Sequence, residues 1–219
     1  MGSRSRDKRA YNTERRAEQA RLTRARIIDA ARDLLLADGF FAMTVPQLAQ
    51  RAGVSPQTVY NAVGGKAEVV KAVYDALLAG DDDPTPMSQR PGFKAVVDAL
   101  DAAAYARAYA AWCRRIWDNV GPLLGVILAH GPGGDEVLGA FVTTVDRERR
   151  IGNTNSLKGL RERGEFPEDR PVDELIDAVW TLTSPEVYDR LVRRSGWQSA
   201  PYEAWLSVQL EAALTASSR

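Results

Sequence analysis

Apolar positions along this chain recur at helical spacing, three and four residues apart, and β-branched runs are short. Over 21–37 they fall at Leu22, Ile27, Ile28, Ala31, Leu34 and Leu35, the stripe of one amphipathic helix. Asp38-Gly39 ends that helix, and Phe40, Phe41 and Met43 are placed to plug a small three-helix core. Two short helices are predicted next, over 45–52 and about 56–63. A fourth, over 66–78, carries Val69, Val70, Val73, Leu77 and Leu78 on one side. Residues 80–92 hold three aspartates and three prolines and read as a loop between domains. Further helices are predicted over 93–99, 101–119, from Gly121-Pro122 to about 130, 135–163 and 171–180. Ser184-Pro185 starts a fresh helix or kinks the same one, to about 194, and a last helix spans 201–215. The expectation is an all-α chain in three parts: a basic, mobile arm over 1–20, a small helical unit with a three-helix core over 21–79 and a larger helical domain over 80–219.

Composition changes this picture little. At 219 residues, 45% hydrophobic and 26% charged, the chain is long enough for a real core and ordinary for a globular protein. No apolar stretch reaches the roughly 18–20 residues of a membrane span. The charged N-terminus does not resemble a secretory signal. Cys113 is the only cysteine, which rules out an intrachain disulfide and suits a reducing cytoplasm. His130 is the only histidine, so a His/Cys metal site is not expected. There is no GxSxG, and Gly131-Pro132-Gly133-Gly134 lacks the strand and the Lys-Ser/Thr of a phosphate loop. No catalytic residue, cofactor or metal is expected.

Charge is more informative. The net charge is zero, yet residues 1–79 carry 13 Lys and Arg against 8 Asp and Glu, a net of +5, leaving 16 against 21, a net of −5, for the rest. Arg4, Arg6, Lys8, Arg9, Arg15, Arg16, Arg21, Arg24 and Arg26 crowd the first 26 residues. Such a run is either a solvated tail or an arm drawn to phosphate.

The run TVPQLAQRAGVSPQTVYNAVGGK, from Thr44 to Lys66, follows this arm. Thr44 can cap the first short helix, whose apolar residues are Val45, Leu48, Ala49 and Ala52, and Gly53 can end it. Ser55-Pro56 is an N-cap followed by proline at the first helical position. The second helix would bury Val59 and Val63 and turn Gln57, Thr58, Tyr60 and Asn61 outward. This is the logic of a helix-turn-helix, whose second helix lies in the DNA major groove. Gln57 and Asn61 can pair with adenine, and Thr58 can meet a thymine methyl or a phosphate. Lys66, at a helix start, can meet a phosphate together with free backbone N–H groups.

The ordered block of about 60 residues, from the first helix through YNAVGGK, resembles the DNA-binding domain of the TetR family of bacterial transcriptional regulators. SPEVYDRLVRRSGW, then Tyr202, Trp205 and Leu206, looks like the last two helices of many members. Tyr60 and Lys66 match the family's backbone-gripping positions. The turn Asn61-Ala62-Val63-Gly64-Gly65 departs from the aromatic or histidine pair usual there. The resemblance implies a cytoplasmic homodimer, nucleoid-associated when DNA-bound, whose reading helices enter successive major grooves of a palindromic operator. It further implies that a small-molecule effector bound in the C-terminal domain releases DNA. The dimer would use Leu175, Val179, Leu182, Val187, Leu191, Trp205, Leu206 and Leu210, some of which must serve the protomer core instead.

The candidate effector pocket rests on aromatic spacing. Tyr105, Tyr109, Trp112 and Ile116 share one helix face, with Trp117, Phe141 and Trp180 beyond. That set is either plain core or a pocket wall with Asn119, His130, Thr143, Thr144 and Arg147 as polar tips. Two rival readings stay open: a DNA-binding factor without a ligand, and a helical enzyme or carrier.

Overall fold

The computed structural model describes residues 3–80, 86–130, 135–164 and 170–216, with side chains described for 13–80, 86–128, 135–164 and 170–216. The acidic part of the 80–92 loop, the glycine-rich run 131–134, the side chain of His130 and those of Arg4, Arg6, Lys8 and Arg9 lie outside these described residues. Ten α-helices are described: α1 (Ser3–Ala42), α2 (Val45–Ala52), α3 (Pro56–Ala62), α4 (Lys66–Ala79), α5 (Pro91–Val97), α6 (Ala102–His130), α7 (Glu136–Glu162), α8 (Val172–Leu182), α9 (Pro185–Tyr188) and α10 (Ser199–Thr215). A 3-10 turn (Met87–Gln89) precedes α5, and a π-helical turn (Asp189–Arg194) extends α9. The chain divides into two compact units, Met1–Ala76 and Leu77–Arg219. No helix among the described residues is long and apolar enough to cross a membrane.

In the first unit α1 packs on α2 and α3. Ile27, Ala31 and Leu35 of α1, Leu48 and Ala49 of α2, Val59 of α3, and Val69, Val70 and Val73 of α4 are all buried. The expectation for 1–20 differs from what is seen, because α1 runs back to Ser3. No glycine or proline interrupts 3–38, and Ala, Arg, Glu and Gln are good helix formers. Thr13 to Ala20 are exposed throughout, so this stretch lacks the apolar stripe by which a helix is recognised. Phe41 also departs from the expected core, being 59% exposed while Phe40 and Met43 are buried. Gly39, at φ 81° and ψ 174°, swings the chain out of helical geometry. The turn that follows puts positions 40 and 43 on one face and 41 on the other.

In the second unit α6 is the axis, with α5 and α10 along it and α7 and α9 in contact. The expected break at Gly121-Pro122 does not occur; α6 passes through Pro122. Proline removes one i→i−4 hydrogen bond, but Pro122 is exposed and so is Asp118, four residues back, where water can reach the freed carbonyl. Val120, Leu123, Leu124 and Ile127 on the other side are buried and hold the helix together.

Candidate functional sites: a reading helix and a buried polar cluster

The two short helices of the first unit are too short to persist alone, so caps and one buried face must hold them. At Thr44 a full capping box forms: the Gln47 N–H donates to Thr44 Oγ1 (3.4 Å) and the Thr44 N–H donates to Gln47 Oε1 (3.0 Å). α2 closes on Gly53 at φ 66°, with Gly53 N–H on the Gln50 carbonyl (3.2 Å) and Val54 N–H on that of Ala49 (2.9 Å). The Ser55 hydroxyl then caps α3 by accepting the Thr58 N–H at 3.1 Å.

Between these fixed ends α3 buries Val59 and exposes Gln57, Tyr60 and Asn61, with Thr58 half-buried. The Gln57 amide donates to Asn61 Oδ1 at 2.9 Å, so the two amides stand as one hydrogen-bonding unit. The Thr58 hydroxyl lies 2.8 Å from that of Ser55, tied to the cap. Val63, expected in the core, is only half-buried. Arg24 of α1 donates to the Ala62 carbonyl (3.0 Å) and so anchors the end of the reading helix.

The turn after α3 needs glycine at 64. Gly64 has φ 126°, and a Cβ there would lie 2.7 Å from Glu68 Cβ. A Cβ on Gly65 would meet the Glu68 carboxylate (3.3 Å) and the Tyr60 ring (3.9 Å). Lys66 is engaged: its ammonium lies 4.1 Å from the Phe40 ring centre and 3.5 Å from the Phe41 carbonyl. To meet a phosphate it must leave that seat.

The second unit holds a buried polar cluster among α6, α7 and α8. The Tyr109 hydroxyl donates to Asn153 Oδ1, and the Tyr105 hydroxyl lies 2.8 Å from that of Ser156. Arg149 donates to Asp146 (3.1 Å) and to the Trp180 carbonyl (2.8 Å), and its guanidinium carbon lies 5.9 Å from the ring centres of both Trp117 and Trp180. Burial pushes the Tyr105, Tyr109 and Tyr202 phenols well up and the Cys113 thiol up to about 12, so all four stay neutral at ordinary pH.

The expected pocket residues therefore separate. Tyr105, Tyr109, Trp117 and Trp180 join the cluster. Phe141 is buried on the same helix as Arg149. Trp112 turns to α5 instead, its ring 5.9 Å from that of Phe93. Thr143 and Thr144 each donate to a carbonyl of their own helix, and Arg147 is exposed. α7 brings Arg149, Asn153 and Ser156 to the cluster. They fall on the face of α7 that begins with the buried Leu138, Phe141 and Val145. Polar residues continuing an apolar stripe were the signal that could have found them. An open depression lined by Ser88, Gln89, Lys94, Val97 and Asp98 includes none of the expected pocket residues.

Four expected interface residues belong to the protomer's own core. Leu175, Val179, Leu206 and Leu210 are buried within the single chain, because α8 and α10 pack on each other and α10 packs on α6. Leu182, Val187, Leu191 and Trp205 keep partial exposure.

Residues 27–73, the helices just described, match the family model for bacterial regulatory proteins of the tetR family. A 96-residue stretch is 36% identical to the uncharacterized HTH-type transcriptional regulator TtgW of Pseudomonas putida, covering 41% of this chain and 69% of that protein. The chain belongs to the TetR family. Over 178 residues it is 28% identical to the uncharacterized HTH-type regulator YdeS of Bacillus subtilis (strain 168), covering 78% of this chain and 84% of the relative. The fatty acid degradation regulator FadR from Bacillus halodurans superposes with TM-score 0.65 at 15% identity, covering 88% of this chain and 94% of that one, a likeness of fold. This TetR-family protein is thus a DNA-binding helix-turn-helix regulator, and the family is one of regulators rather than enzymes.

Proposed function

We propose that the protein is a dimeric repressor of the bacterial cytoplasm, released from a palindromic operator by a small-molecule effector. The observation that carries the reading is the outward pair Gln57 and Asn61 on a helix fixed at both ends. Gln57 and Asn61 read base edges, Thr58 and Ser55 support them or meet phosphate, and Tyr60, Lys66 and Thr44 meet the DNA backbone. Half-sites stand about 10 base pairs apart, or a multiple. The effector binds the second unit around Tyr109, Trp117 and Trp180. It weakens DNA binding by its preference for the conformation in which the two reading helices are badly spaced.

Selecting bound duplexes from a random pool tests the first part. A palindrome should emerge, with affinity falling as salt rises by a slope of about −0.9 per phosphate neutralised. A pool with no enriched sequence at moderate salt would remove the reading.

For the dimer, the second copy meets the half-buried Leu182, Val187, Leu191 and Trp205, joined by Val208, which is 62% exposed on α10. Val208→Lys should leave protomer stability within about 0.5 kcal/mol, as expected for an exposed site, and convert the dimer to monomer in light scattering. A variant that remains dimeric places the interface elsewhere.

A further inference from the structure

The interior of the second unit buries more hydrogen-bond donors than it satisfies. Trp117 Nε1, Asn153 Nδ2, Trp180 Nε1 and the Tyr202 hydroxyl are enclosed with no hydrogen-bond partner among the described residues. Asn153, Trp117 and Tyr202 are each more than nine-tenths buried. They come from α6, α7, α8 and α10, and the two indoles are brought together by Arg149. Arg149 lies beside both indoles, its charge acts on Tyr109 and Tyr202, and Tyr109 holds the other end of the Asn153 amide. An enclosed donor with no acceptor is destabilising, so these donors define a demand for acceptors.

The chemistry of that demand is one-sided. Indole and amide N–H groups only donate, and a phenol hydroxyl can donate. The Arg149 donors are engaged with Asp146 and the Trp180 carbonyl, but its positive charge remains. An ammonium-headed ligand would bring donors to donors and a cation towards a cation. Carbonyl or carboxylate oxygens answer both, and the indole and phenol rings suit a flat apolar body.

We infer that this cluster binds a planar, mainly apolar molecule whose polar groups are carbonyl or carboxylate oxygens, selected by the N–H groups of Trp117, Asn153 and Trp180. The inference rests on the effector reading above and names the chemical class of that effector.

The test uses the full chain and three probes with one ring system: 2-acetylnaphthalene, 2-naphthoate and 2-naphthylmethylammonium. Binding is followed by tryptophan quenching and by the rise in Tm. At least one acceptor probe should bind about ten-fold or more tighter than the ammonium, the ratio that one unmet buried hydrogen bond commands. Trp180→Phe keeps a ring and removes the N–H, and Asn153→Leu removes the amide. Each should weaken the acceptor probe by about five-fold or more while the variant still melts cooperatively. If the ammonium binds as well as the acceptor probes, if none binds, or if both variants bind like the wild type, the inference is overturned. Selective binding that leaves operator affinity unchanged supports this site and removes the effector role, so the two readings fail separately.

Discussion

Gln57→Ala combined with Asn61→Ala should lower affinity for the selected duplex by about 10- to 100-fold and leave random-duplex binding nearly unchanged. Both side chains stand outside the core on α3 and bond chiefly to each other, so their removal opens no cavity. Alanine is the better helix former at both positions, and protomer stability should shift by no more than about 0.5 kcal/mol. What is lost is the ability to meet two hydrogen-bonding groups on a base edge. Anisotropy titrations on the two duplexes at one salt concentration separate the cases. Equal loss on both would mean that the amides serve the phosphates. Lys66→Ala gives the contrasting pattern: a uniform loss on both duplexes and a salt slope smaller by about one phosphate. That pattern requires the ammonium to leave its place over Phe40 when DNA arrives.

How far these features could be read from the sequence depended on whether their causes are local. Thr44 with Gln47, Gly53, and Ser55 with Pro56 act within four residues, so the ends of α2 and α3 were legible before any tertiary contact was known. The helical class and the position of the reading helix followed from the same signals. Phe41 looks like a core residue in sequence because its neighbours are core residues, and only the backbone angle at Gly39 turns it outward. The passage of α6 through Pro122 was not legible, since it depends on which side of the helix faces water.

The second unit was harder for a different reason. Arg149, Asn153 and Ser156 look like surface positions by residue type, and only their place on the Leu138–Phe141–Val145 face of α7 shows that they point inward. The apolar residues of α8 and α10 posed the converse problem. A leucine that packs on α6 and one that meets a second copy carry the same spacing. Leu206 and Leu210 therefore carry the spacing of interface residues, although α10 lies along α6 and buries them in the protomer.

Val59→Asp should abolish operator binding by unfolding the first unit while the second stays folded. Val59 is the sole buried residue of α3, fully enclosed where that helix meets α1 and α2. Its own carbonyl accepts the N–H groups of Val63 (2.9 Å) and Gly64 (3.2 Å), so displacing it also loosens the turn that follows. An uncompensated buried charge costs about 3–5 kcal/mol, a large share of the roughly 5–15 kcal/mol that holds a typical domain. Val59→Ala, which only removes methyl groups, should cost about 1.5 kcal/mol and leave the unit folded. The pH dependence has a definite sign. Burial raises the introduced carboxyl above its unfolded pKa of about 3.9, so the penalty is full above the raised value and shrinks as pH falls towards 3.9. The variant should therefore regain first-unit structure on mild acidification. All five tryptophans lie in the second unit, so their emission reports on that unit alone, whereas far-UV circular dichroism reports on both. The expected result is lost helical signal with native tryptophan emission at neutral pH. Wild-type operator affinity in the variant, or loss of tryptophan emission in step with the helical signal, would contradict the separate stability of the reading unit on which this expectation rests.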